Sequence, residues 1–343
     1  MFDKKISLVI AARNDSYMGN FKWRLETTIN YIAAQLQSID WLQQVEIIIV
    51  DWGSASPLRE VVQTSKAAEQ IIRYIEVPID VHEKVCLGSD FPLTIALNVG
   101  IRRAKGELIA LTSGDVLWKS EVFQSLFSLQ KDLFEHSLFF IPRKNIPWDI
   151  VSQSPGIAEM TKYIDTEGTA LEVEPLLPFY MGCAGALAMH RDRWFECHGN
   201  DERLVFWGYN DIDLNLRMRL KYACLDYYQT NKVSVFHLEH YPSRNDKQSA
   251  PKKLNPHVFN PLVVNDENWG LARYSFAEWP RQEESSTMIA PAEKKNRNAV
   301  YFRAQHLLHI LSFMFSGYTK KHFSWSFSIL RDYFIDLLPF RNN

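Results

Sequence analysis

Residues 91–115 read FPLTIALNVGIRRAKGELIALTSGD, and this stretch decides the fold. Apolar residues recur at helical spacing over 94–104, Gly106 punctuates the chain, and 108–112 has the composition of a buried strand. A polar turn, Ser113-Gly114-Asp115, follows at once. The same alternation runs upstream. Residues 6–11 form a short apolar run that ends at Arg13-Asn14-Asp15. Leu25, Ile29, Ile32, Ala33 and Leu36 make one helical stripe, and VEIIIV (45–50) is a second buried strand closed by Asp51-Trp52-Gly53-Ser54. A helix is expected over 58–68 and a strand over 71–77. Strand and helix alternating in this way predict an α/β fold, a mainly parallel sheet with helices on both faces. Ligands of such sheets sit at the carboxyl ends of the strands, so Arg13–Asp15, Asp51–Ser54 and Ser113–Asp115 are the places to look.

Composition narrows the function. The 343 residues carry 38 Lys and Arg against 40 Asp and Glu, a balance that excludes whole-molecule nucleic-acid binding. Hydrophobic residues make up 46%, too many for disorder. The four cysteines are scattered without a Cys-x-x-Cys pair, as expected of a reduced cytoplasmic protein. The opening MFDKKISLVI is too soon interrupted for a signal peptide, and no run of 18 apolar residues predicts a transmembrane helix.

Further along, residues 141–179 hold five prolines and little periodicity, and a long loop is expected there. A strand is expected over 181–189, a helix over 211–220 and a last strand over 233–237. The chain divides by this reading into a domain over 1–270, with halves at about 1–115 and 116–270, and a linker with an amphipathic helical extension over 271–343. Residues 294–343 contain eight Lys and Arg against two acids, with eleven aromatics. That composition suits peripheral contact with an anionic membrane face through 299–343, or equally a helical pair packed on the domain or a dimer contact.

Three stretches can carry chemistry. Asp115, at a strand end, can hold a divalent cation that binds a diphosphate, although Ser-Gly-Asp is also ordinary turn chemistry. In FWGYNDIDL (206–214) the Trp207-Gly208 pair offers an indole face for a sugar ring, with a core Trp as the common alternative. Asp211 stands at a helix start, where a carboxylate serves as an N-cap or faces a pocket, while Asp213 points away from it. His237 and His240, in VFHLEHYP, follow a strand and can be metal ligands or structural histidines. Their three-residue spacing argues against both binding one ion.

Taken in order, these pieces resemble the GT-A glycosyltransferases over roughly residues 5–270, and in particular the family 2 and β-1,4-galactosyltransferase-like inverting enzymes. The resemblance rests on the opening strand and turn (Ala11 where proline is usual), on IIIVDWGSAS, on Asn98, Gly100, Ala104 and Gly106, and on the segment MGCAGALAMHRDRWFECHGNDERLVFWGYNDIDLNLRMR. It implies an enzyme that moves a sugar from a nucleotide-sugar donor, a UDP-sugar, to a glycan or lipid-linked hydroxyl acceptor in polysaccharide or glycoconjugate synthesis. Ala11, Arg13, Asp51, Asn98, Ser113 and Gly114 would meet the nucleotide. Asp115, with His237 or His240, would hold Mn²⁺ or Mg²⁺. Asp211 would be the catalytic base, and Trp207, Gly208 and Asp213 would contact the acceptor. The chain departs from the family pattern at Ser113, where the metal-binding Asp-x-Asp has its first carboxylate, at Asn210, where Glu is usual, and at Leu93, a diphosphate-contacting Arg in galactosyltransferase-like members. Those losses leave a second expectation, a degenerate domain that binds without turnover. A nucleotidyltransferase is disfavoured because AARNDSYMGN is not a Gly-rich phosphate loop.

Overall fold

The computed structural model describes residues 5–176, 184–240, 253–256 and 259–280. The chain opens with β1 (Ile6–Ala12), α1 (Phe21–Ser38) and β2 (Val45–Trp52), then α2 (Leu58–Val61), α3 (Lys66–Glu69) and β3 (Ile72–Val77). Next come α4 (Ile79–Val85), α5 (Leu93–Arg103), β4 (Leu108–Leu111) and β5 (Val116–Leu117). They are followed by α6 (Ser120–Phe127), α7 (Lys131–His136), β6 (Ser137–Ile141), β7 (Arg143–Ile146), α8 (Trp148–Val151) and α9 (Ile157–Thr166). Then come β8 (Ala186–His190), α10 (Arg191–Glu196), α11 (Asn210–Met218), β9 (Ala223–Asp226), α12 (Tyr227–Asn231), β10 (Val235–Leu238) and β11 (Ala277–Trp279).

Eight strands form one sheet in the order β11-β3-β2-β1-β4-β8-β6-β9. Strands β3, β2, β1 and β4 run parallel, whereas β8 is antiparallel to both β4 and β6. The run ISLVIAA is buried on both faces because its side chains alternate between two cores. Leu8 and Ile10 join Leu25, Ile29, Ile32 and Leu36 of α1 on one side; Val9 joins Ile95 and Val99 of α5 on the other. Each such side chain, fully buried, contributes about 1.5–3 kcal/mol. Helix α5 lies against β1 at Gly100, where an added Cβ would come within 2.4 Å of Val9. Gly106 is as tight, with a Cβ position 2.6 Å from the Ser7 nitrogen.

A second, three-stranded sheet has the order β5-β10-β7 and its own apolar cluster. It corrects the expectation of a long loop over 141–179, since β7, α8 and α9 all fall there. Pro142 precedes β7 and Pro147 caps α8, so these prolines separate elements rather than abolish them. The helix expected over 58–68 is two short ones, because Ser65 starts a new helix by accepting from the Ala68 nitrogen. The boundary expected at 270 also moves: β11 adds to the sheet edge, antiparallel to β3, and Glu278 pairs with the buried Arg73 at 2.7 Å. Residues 181–183 of the expected strand and the whole of 281–343 lie outside the described residues. No helix among the described residues is long and apolar enough to cross a membrane.

Candidate active site

The carboxyl ends of β1, β2 and β4 converge, as the parallel order requires. Asp51, 3% exposed at the end of β2, accepts a 2.7 Å hydrogen bond from the Leu58 nitrogen and another from the Ser54 hydroxyl. Burial pushes its carboxyl up, against the pull of those two bonds. Both oxygens thus accept bonds within the turn that follows β2. Asn14 donates from its backbone to Ser54 Oγ at 2.8 Å, which ties the β1 end to the β2 turn. Arg13 pairs with Asp15 at 2.8 Å, donates to the Asp90 carbonyl at 2.6 Å and lies over the Phe91 ring. Ala11, half-buried, sits opposite Val50 at the same end of the sheet.

Asp115 follows β4 and is 6% exposed. The ladder between β5 and β10 sets His237 opposite Val116, and the Leu238 nitrogen donates to the Asp115 carbonyl at 2.8 Å. Asp115, His237 and His240 each offer one ligand atom, all within 4.8 Å of one another. Both histidines therefore reach one point, contrary to the expectation from their spacing: the strand ends at Leu238, and His240 lies beyond it with its ring centroid 5.3 Å from that of His237. The parallel β7 strand brings Asn145 beside His237, with Nδ1 3.0 Å from the Asn145 Oδ1. A proton on Nδ1 satisfies that oxygen and leaves the Nε2 lone pair facing Asp115 Oδ2, 3.9 Å away. Burial lowers the His237 pKa to about 4, so the ring is neutral at pH 7. One carboxylate and two imidazoles are a donor set that Mn²⁺ accepts. Ser113 is exposed beside them. Gly114 is buried, where a Cβ would press to 3.1–3.2 Å on Leu25 and Phe21.

Arg24, which is not among the residues expected from the sequence, also belongs to this cluster. It rises from α1 into this cluster, 1% exposed, with Nη1 2.6 Å from Asp115 Oδ2. Its Nη2 donates to the carbonyls of Tyr17 (2.7 Å) and Gly19 (3.0 Å). The available signal was its register: Phe21, Arg24, Thr28 and Tyr31 share one buried face of the helix.

The second half of the site is the turn before α11. Trp207 is 61% exposed, and Gly208 and Tyr209 both take positive φ. Asn255 clamps this turn: its side chain accepts from the Phe206 nitrogen (2.8 Å) and donates to the carbonyls of Phe206 (2.8 Å) and Gly208 (2.7 Å). The N-cap is Tyr209, so Asp211 is not the cap; it stands half-buried in the first turn of the helix. Asp213 does point elsewhere, to Arg217 at 2.8 Å and Asn260 at 2.6 Å, and is 3% exposed. Both its oxygens are bound within the protein, by Arg217 and by Asn260 of the following loop. Asn98 is likewise corrected: it is fully buried, and its amide bonds Asn200 and Glu202 instead of facing the strand ends. Ser89 and Thr94 donate to the carbonyls of Val205 (2.7 Å) and Leu204 (3.0 Å), joining the Trp207 turn to the segment that Arg13 holds.

Residues 21–241 match the sequence profile of "Glycosyltransferase like family 2". No curated protein sequence matches the chain. Among solved structures, S. aureus TarS 1–349 is similar at 14% identity with a TM-score of 0.43, over 68% of this chain and 60% of that one. Its complex with UDP-GlcNAc aligns at 11% identity and TM-score 0.46, over 96% and 73%. GalNAc-T7 with UDP, GalNAc and Mn²⁺ aligns at 15% and 0.43, over 70% and 44%. The chain thus spans 60% of the first of these structures.

Proposed function

Because the chain belongs to glycosyltransferase-like family 2, we propose that it transfers a sugar from a UDP-sugar to a hydroxyl of a glycan or lipid-linked acceptor, with inversion. Its sheet and strand-end crevice have the GT-A arrangement. The observation that carries the reading is the convergence of Asp115, His237 and His240 in that crevice. In an inverting transfer the acceptor oxygen attacks the anomeric carbon while the nucleoside diphosphate leaves on the opposite face. Asp211 takes the acceptor proton, from a helix turn that the Asn255 clamp holds in register. Trp207 stacks on a sugar ring with its exposed indole face. Arg13 lines the nucleobase end of the crevice beside the Asp51 turn. Asp115, His237 and His240 would hold Mn²⁺ or Mg²⁺, which when bound neutralises charge on the diphosphate.

The test is donor hydrolysis and transfer across a panel of sugar nucleotides, with Asp211→Asn beside the wild type. No turnover with any donor, or an unchanged Asp211→Asn enzyme, defeats the reading. UDP binding without turnover selects the alternative, a non-catalytic binding domain, which the residues at Ser113 and Asn210 favour. The catalytic unit we assign is residues 1–280, and 281–343 a basic, aromatic extension for contact with the cytoplasmic membrane surface.

A further inference from the structure

Arg24 is a buried, permanently charged group placed on the same carboxylate oxygen that faces His237. Asp115 supplies the one carboxylate of the cluster, and Arg24 cancels it at 2.6 Å. Ser113, on the exposed side, adds no charge. His237 is neutral. The guanidinium also donates to the carbonyls of Tyr17 and Gly19 and lies over the Phe21 ring, 5.5 Å from its centroid, contacts that add no negative charge. A divalent ion arriving alone therefore meets a carboxylate already neutralised and a fixed positive charge within a few ångströms. Repulsion of that kind is strong in a partly dehydrated site. A diphosphate arriving with the ion brings the negative charge that the protein withholds.

We infer that Arg24 is a built-in counter-charge of the cation site, so that the chain retains a divalent ion only together with a nucleoside diphosphate. The inference rests on the proposed donor reading and makes Arg24 a positioning residue, not a catalytic one. Reciprocity requires that the ion tighten the nucleotide by the same factor.

The experiment titrates Mn²⁺ into the full chain with and without UDP. Water-proton relaxation reports the ion bound to protein, and calorimetry reports UDP affinity with and without Mn²⁺. For the wild type, UDP should tighten Mn²⁺ at least about tenfold. Arg24→Gln should bind Mn²⁺ alone at least about tenfold more tightly than the wild type, and lose most of the coupling. Arg24→Lys should behave as the wild type. An Arg24→Gln protein of native melting profile whose Mn²⁺ affinity is unchanged or weaker overturns the inference, because a merely structural arginine predicts that result. Should Arg24→Gln not fold, the wild-type titrations decide: equal Mn²⁺ affinity with and without UDP overturns it. Absence of UDP binding in every form strikes the donor reading instead, and the comparison of Mn²⁺ alone between wild type and Arg24→Gln still judges the counter-charge.

Discussion

Asp211 and Asp213 stand two residues apart in α11 and live in different chemistry. Asp213 is locked to Arg217, a guanidinium with no exposure, and to Asn260. Removing one partner of a buried pair leaves the other charge uncompensated, so Asp213→Ala should cost about 3–5 kcal/mol of stability. Asp211, half-buried at the start of the helix, accepts a hydrogen bond from the Ile212 nitrogen and stands outside that buried ion pair. Asp211→Asn should leave the denaturant midpoint nearly unchanged and lower transfer by about 10²–10⁴-fold, the range for a lost general base. Urea unfolding and initial rates on the same two proteins check both. If Asp213→Ala keeps its midpoint, the network assigned to it is wrong; if Asp211→Asn loses stability as well as rate, its role is structural. Trp207, 61% exposed, makes a third contrast: Trp207→Ala should shift stability by within about 0.5 kcal/mol. Donor hydrolysis should survive in that variant, with transfer to the acceptor reduced.

Among the elements, α5 and the Trp207 turn show how the site is held from a distance. Helix α5 approaches β1 because Gly100 has no side chain, and Gly100→Val should overpack that seam by about 1–3 kcal/mol, read as a lowered unfolding midpoint. Asn255→Ala strands one backbone donor and two acceptors of the Trp207 turn. It should lower transfer more than UDP affinity, measured by rates beside calorimetry; equal loss of both would mean the turn does not belong to the acceptor side. The central strands were legible because both their faces are buried, which turns β1 and β2 into unbroken apolar runs. The small sheet was legible only in β10, expected over 233–237: β5 has two residues, and β7 reads RKNI, polar and half-buried up to Ile146. Its strands are defined by pairing across long sequence separations, β10 with β5 and with β7, which leaves no local period. Arg24 was invisible for a related reason, since a charge within an apolar stripe reads as an interruption until its partner is known. Asn98 misled in the opposite sense. Its motif was matched, but its partners Asn200 and Glu202 lie about a hundred residues onward, and they turn it inward.

For the whole molecule, the question is where the folded unit ends. A boundary at 270 would cut off β11, which covers the edge of β3 and brings Glu278 to Arg73 and Trp279 to Arg59, 4.5 Å from guanidinium to ring. Arg73 is 4% exposed and, among the described residues, would retain Glu46 and the Arg103 carbonyl as side-chain partners. The bare edge of β3 would also offer unpaired backbone to other chains. A chain ended at 270 should therefore melt below one ended at 280 and aggregate on heating, seen by calorimetry and light scattering. Residues 281–343 carry the basic and aromatic excess. If they serve the membrane surface, the chain ended at 280 should keep its UDP affinity and lose sedimentation with anionic vesicles. The full chain should be released from those vesicles as salt rises, because attraction to a charged surface is screened within about 10 Å at 0.1 M ionic strength. Vesicle binding unchanged by the truncation would place the contact on the sheet-bearing part of the protein. A UDP affinity that falls with the truncation would make the extension part of the donor site.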